Sequence, residues 1–168
     1  MKKIIVKILV AVFIFCVFPS LSFASLRDKE VLRGLSGASV EIMFGGDSNN
    51  IGLNETQIRT DVELKLRLAG ITVYEQGKTW NDPNKAELAV TITVACMPDV
   101  IFCATSTDLS LKQAVSLLSN PVVATGVFTW GSARVGLKNK ASIVESIRED
   151  IKDLLDMFLN DYLSVNPK

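Results

Sequence analysis

The sequence predicts an α+β fold: a two-layer sandwich in the order β-α-β-β-β-β-α, with two helices on one face of a mixed, mostly antiparallel sheet. Three observations lead there. "AELAVTITVACM" (86–97) alternates strictly, with Leu88, Val90, Ile92, Val94 and Cys96 on one side and Glu87, Ala89, Thr91, Thr93 and Ala95 on the other. "NETQIRTDVELKLRLAGITVYE" (54–75) reads as an amphipathic helix running straight into a strand. "KASIVESIREDIKDLLDMFLNDYLSV" (140–165) carries a single apolar stripe over some seven turns. Strands with one apolar and one polar side need helices on one side only, which leaves a sheet face open.

Taken in order, "LRDKEVLRGLSG" (26–37) is a charged lead-in, either one helical turn or an extended arm. "ASVEIMF" (38–44) is a first strand with Val40, Ile42 and Phe44 on one side, and "GGDSNNIGL" (45–53) is a flexible connector by composition. Asn54 is placed as an N-cap with Gln57 three residues on. Ile58, Val62, Leu66 and Ala69 then recur at helical spacing, and Leu64 and Leu68 widen the stripe. The interleaved charges of this helix, Glu63 and Arg67 among them, are its solvated side rather than a working patch. Gly70 stands where a left-handed C′ residue is wanted.

After "QGKTWNDPNK" (76–85) comes the alternating strand, then a turn at Pro98 and Asp99, and a strand from about Phe102 to Leu117. Leu109, Leu111, Val115 and Leu117 share one parity in it, and Ser110, Lys112 and Ser116 the other. "SNP" (119–121) turns the chain into "VVATGVFTW" (122–130), whose inward parity the pattern leaves open. The final helix buries Ile143, Ile147, Ile151, Leu154, Leu155, Phe158 and Tyr162, starts on a capping box of Ser142 and Glu145, and stops at Asn166-Pro167. The strand–helix–strand start calls for parallel pairing by a right-handed crossover, and the later strands for an antiparallel meander.

The first 24 residues have the form of a secretory signal. Lys2, Lys3 and Lys7 precede an apolar run from Ile8 to Phe18, and Ser22 and Ala24 sit at the −3 and −1 positions of a cleavage site. That run is short for a hydrocarbon core of about 30 Å, so cleavage after Ala24 is expected rather than a retained anchor. Residues 25–168 then form a single domain, periplasmic or secreted, with no membrane span. The whole chain has 18 basic and 18 acidic side chains, so losing three lysines leaves it mildly acidic. With no basic block, nucleic acid is not an expected partner.

No histidine occurs in the chain, which removes the Ser-His-Asp triad, the Cys-His pair and the usual zinc sites together. No cofactor or metal is expected. "GGDSNNIG" has no phosphate-loop lysine, and as a calcium loop it fails at Ile51 and Ile58. Asn54-Glu55-Thr56 is a glycosylation sequon that the capping role of Asn54 already explains. Ser110 and Lys112 share a strand side, but alternation makes such pairs commonplace. In "CMPDVIFC" (96–103) a four-residue loop would set Cys96 opposite Cys103, so a hairpin disulfide is expected in an oxidising compartment.

"LRGLSG", "QIRTDVELKLRLAGITV", "LSLKQAVSLLSNP" and "LNDYLSVNP" resemble a family of short exported bacterial proteins of unknown function. That resemblance spans most of residues 25–168 and implies no activity, ligand or catalytic residue. It weakens in the 45–53 and 76–85 loops and the cysteine hairpin, which makes the disulfide particular to this chain. The element order is also similar, at the level of fold alone, to the N-terminal domain of the Tol-Pal propeller protein and to lipopolysaccharide-assembly lipoproteins. The expected role is a non-enzymatic binding module that docks to a protein or envelope component. Its open face would present Thr91, Thr93, Ser110 and Lys112, with Trp80 and Trp130 as exposed aromatics. Phe128 shares the parity of Trp130 within "FTW" and is assigned to the core, while Trp130 stands evenly between surface and core. The alternatives are a small-ligand carrier with a pocket between helices and sheet, and a carboxylate-based hydrolase.

Overall fold

A computed structural model describes residues 28–77, 82, 84–116 and 123–167, with 123–125 as backbone. The expected signal segment, Trp80 and the expected turn at 119–121 lie outside them. Seven elements follow in the predicted order: β1 (Gly37–Gly46), α1 (Glu55–Leu68), β2 (Thr72–Val73), β3 (Lys85–Cys96), β4 (Phe102–Ser116), β5 (Val123–Asn139) and α2 (Ile143–Val165). The sheet order is β2-β1-β3-β4-β5. β1 pairs in parallel with both β2 and β3, while β3, β4 and β5 form the antiparallel meander. The lead-in is a 3₁₀ turn at Lys29–Leu32 whose Leu32 is fully buried.

Both helices lie on one side, over Val40, Ile42, Leu88, Val90, Ile92, Val94, Leu109 and Leu111. α1 forms where it was expected. Asn54 Oδ1 accepts the Gln57 N–H at 3.0 Å, and Gly70 takes φ 88° past the last turn, a left-handed conformation that a side chain would disfavour. Ile58, Val62 and Leu66 are buried, but Leu64 and Leu68 are exposed. The apolar stripe is therefore narrower than the sequence suggested: a two-residue β2 covers little of the helix flank. α2 buries all seven predicted stripe residues. Its start differs, since Ser142 makes no capping bond; Asn139 Oδ1 instead accepts the Ala141 N–H in a 3₁₀ turn ahead of the helix. At the far end Asn166 Nδ2 donates to the carbonyls of Tyr162 and Leu32, tying the helix terminus to the lead-in.

Residues 45–53 are not a flexible connector. Ser48 is buried, its hydroxyl reaching the carbonyls of Gly45 and Ile92, and Asp47 Oδ2 accepts the Cys96 N–H at 2.9 Å. A short polar side chain that bonds nearby backbone builds an ordered turn as readily as a loose one.

Cys96 pairs with Cys103 across the hairpin and the two form a disulfide, Cα–Cα 4.4 Å, with Cys103 buried. The bond closes a short loop, so replacing both cysteines by serine should lower unfolding stability by about 2 kcal/mol in a urea titration. A loss above about 4 kcal/mol would mean that the bond holds more than its own hairpin.

Candidate functional site: the helix-free sheet face

The bare face can be written row by row from the strand registers, from β5 inward to β1. Phe128, Lys112, Glu87 and Ser39 make the first row; then Gly131, Ser110, Ala89 and Glu41; then Ala133, Asp108, Thr91 and Met43; then Val135, Ser106, Thr93 and Gly45. Leu137, Ala104 and Ala95 follow, and Asn139 with Phe102 closes the sheet at the hairpin end. Thr91, Thr93, Ser110 and Lys112 all stand on this face. Thr93 is exposed, Thr91 and Lys112 are half-buried and Ser110 is buried.

Trp130 does not stand there. It is 0% exposed beneath α2, edge-on to Phe158 at 5.1 Å, with its indole N–H donating to Asp161 Oδ2 at 3.0 Å. Phe128, assigned to the core, is 57% exposed and lies on the bare face, while Trp130, left open between surface and core, is the buried ring. The cause is a β-bulge. Leu111 pairs with Trp130 and Lys112 with Phe128, so Thr129 is the extra residue that puts two side chains of one sequence parity on opposite faces. The Thr129 hydroxyl reaches Gln113 Oε1 and helps hold the bulge in place.

Beyond the bulge β5 runs on to Asn139, nine residues further than its sequence pattern was read, and there it is inside out. Arg134 and Lys138 point to the helix side and pair with Asp153 (3.3 Å) and Asp150 (2.9 Å) of α2, in series with Trp130 on Asp161. Ala133, Val135 and Leu137 point to the side that no helix among the described residues covers; Val135 is 64% and Leu137 73% exposed. The alternation of "ARVGLK" (133–138) is legible in the sequence, but which parity is covered depends on the acids that α2 sets beside it. Phe102 and the turn residues Met97 and Ile101 prolong this apolar strip around the hairpin end.

The opposite end of the face is charged and partly closed. Tyr74 lies against Gly37, where a Cβ would come within 2.4 Å of its ring, and Lys85 sits 4.5 Å above that ring. Lys112 Nζ bridges Glu41 (2.9 Å) and Glu87 (3.0 Å). The hydrogen bond from Lys112 holds the Glu41 carboxyl below its usual range, with burial opposing. Burial pushes Glu87 up, more than Lys112 brings it down. Burial would lower Lys112, but its bonds to Glu41 and Glu87 prevail and hold the ammonium above its usual range. Asp108 is also raised by burial, with a bond from Ser110 opposing.

Two carboxyl groups with divergent pKa values are the usual material of acid–base catalysis. Here the two carboxyl groups bond each other and share the Lys112 ammonium as a common partner. The same bonds bind the Lys112 proton more tightly, the reverse of what a Ser110–Lys112 nucleophile requires. Glu41, Glu87 and Asp108 went unnoticed in the sequence because each is one polar residue in an alternating strand. On the other layer, α1 and α2 enclose a groove of about 660 Å³ floored by Ile58, Val62, Ile151 and Leu155. Its rim is bridged by Arg148–Asp61 and Lys65–Asp156. Among the described residues no group of three side chains is placed to hold a metal ion, and no helix is long and apolar enough to cross a membrane.

No protein-family model matches the chain, and no curated protein matches it. Among solved structures it is similar to a PelC variant dodecamer from Paraburkholderia phytofirmans. That match has 14% identity and a TM-score of 0.46, and covers 76% of this chain and 90% of the other.

Proposed function

We propose that this chain is an exported, non-enzymatic docking module that engages a protein or other component of the cell envelope through its helix-free sheet face. One observation carries the reading: the C-terminal half of β5 turns Val135 and Leu137 outward and its cations inward. A strand built that way leaves its apolar side without cover in the isolated fold, as interaction surfaces do. The polar rows beside it, from Thr93 to Asp108, supply the rim that such surfaces carry. The Cys96–Cys103 disulfide supports an oxidising compartment. The α1–α2 groove favours the carrier alternative less, because two ion pairs, Arg148–Asp61 and Lys65–Asp156, already bridge the two helices across it.

Photo-crosslinking in intact cells tests the reading. A photoreactive residue at Leu137 should give a discrete adduct with another envelope component, while one at exposed Asn160 of α2 should not. Equal labelling from both positions, or none from Leu137, overturns it.

A further inference from the structure

β5 is an edge strand among the described residues, with β4 on one side. The Lys140 N–H bonds the Ile101 carbonyl, and the Thr105 hydroxyl reaches the Gly136 carbonyl at 3.4 Å, so even-numbered positions direct their backbone groups toward β4. The N–H and C=O groups of Ala133, Val135 and Leu137 therefore point outward. A long exposed edge of this kind is a template for another strand. Natural edges are commonly protected by proline, by a bulge or by an outward-facing charge. Residues 132–138 contain no proline, the bulge lies before them, and both cations are turned to the helix side.

We infer that the strand which pairs with this edge is β5 of a second copy, antiparallel about a two-fold axis at Val135. Charge and register select that axis. Centred on Arg134, the pairing sets Arg134 against its own equivalent; centred on Gly136, it sets Arg134 against Lys138; centred on Leu137, it sets Arg134 against Lys140. Centred on Ala133, it brings Leu137 onto the bulged Thr129. Centred on Val135, Arg134 faces Gly136 and Lys138 faces Ser132. On the bare side Val135 then meets Val135, and Ala133 meets Leu137. Antiparallel partners exchange backbone hydrogen bonds at such a centre, and a two-fold pairing closes on itself without forming a fibre. The two apolar strips merge into one strip twice as wide at the middle of a ten-stranded sheet. This inference rests on the docking reading and specifies the surface that the partner meets.

Single cysteines introduced into the purified protein with Cys16 replaced by alanine test the register, since Cys96 and Cys103 are already bonded to each other. Val135→Cys should form a covalent dimer under mild oxidation, on the order of tenfold faster than Ala133→Cys or Leu137→Cys. Those two self-pairs would lie four residues out of register, beyond the Cα separation that a disulfide spans. Sedimentation equilibrium of the unmodified protein should report a dimer, and Val135→Lys a monomer. A monomer at all concentrations overturns the pairing, as do equal oxidation rates at the three positions. A monomer whose Leu137 adduct contains a different protein overturns the pairing and leaves the docking role standing; a dimer that gives no foreign adduct does the reverse.

Discussion

Replacing Lys112 by methionine should cost about 3 kcal/mol of unfolding stability near neutral pH and should steepen the loss of stability as pH rises above about 5. The side chain joins Glu41 on β1 to Glu87 on β3 while itself projecting from β4, so one ammonium neutralises acids on two other strands. Methionine keeps most of the apolar stem and removes the charge, leaving two carboxylates facing each other with little access to water. The low end of the range for breaking a buried pair applies, because Lys112 and Glu41 keep 16% and 24% of their side-chain surface exposed. In the native protein Glu41 lies below its ordinary 4.5; the stability it contributes is present above that value and is lost as pH falls through its folded pKa. Glu87 lies above 4.5 and works against folding as pH rises past it. Without Lys112, burial and mutual repulsion raise both groups. The stability they then contribute is complete below 4.5 and is lost as pH rises through the two elevated pKa values. The variant should therefore gain more stability between about pH 7.5 and about pH 5 than the native protein, in which Glu87 and Asp108 are raised but Glu41 is held down. Urea titrations at the two pH values measure both. Adding Glu87→Gln to Lys112→Met should recover much of the loss at the higher pH. If the variant's deficit is the same at both values, the effect is lost packing of the stem, and the charge bridge does not hold the strands.

How much of this could be read beforehand divides according to what each residue needed to know about distant ones. The N-cap at Asn54, the C′ glycine at Gly70, the α2 stripe and the pairing of Cys96 with Cys103 depend on neighbours within a turn or a hairpin, and all stand as expected. Leu64 and Leu68 failed because a helical stripe shows its centre more clearly than its width, and the width is set by what lies beside it. The Ser142 cap failed because Asn139 competes for the same turn three residues earlier. β5 was the least legible element. Its parity changes at a bulge that no local residue announces, and its second half inverts because Asp150 and Asp153, more than ten residues downstream, meet Arg134 and Lys138. On the candidate face, alternation placed Thr91, Thr93, Ser110 and Lys112 correctly. It gave no sign that Ser110 and Glu87 would be buried there, since shielding of that end depends on elements from other parts of the chain.

Two aromatic substitutions two residues apart should differ by several kcal/mol in unfolding stability. Trp130→Ala removes a fully buried ring from the contact with Phe158 and takes the indole donor from Asp161. Losses of about 3–5 kcal/mol are usual for such a truncation, which corresponds to a fall on the order of 10–20 °C in Tm for a domain of this size. Phe128→Ala removes a ring of the same chemical class that is mostly in water, where substitutions stay within about 0.5 kcal/mol. Circular dichroism is the suitable readout, since fluorescence would lose its buried reporter in the first variant and keep only Trp80. Trp130→Phe should fall between them, keeping the ring against Phe158 while losing the hydrogen bond. The contrast bears directly on the bulge at Thr129: with a regular ladder both side chains would share a face and respond alike. A costly Phe128→Ala beside a harmless Trp130→Ala would mean that β5 faces the other way on both sides of the bulge. It would also turn Val135 and Leu137 toward the helices, and the apolar strip on the bare face, together with the two-fold pairing built on it, would go with them.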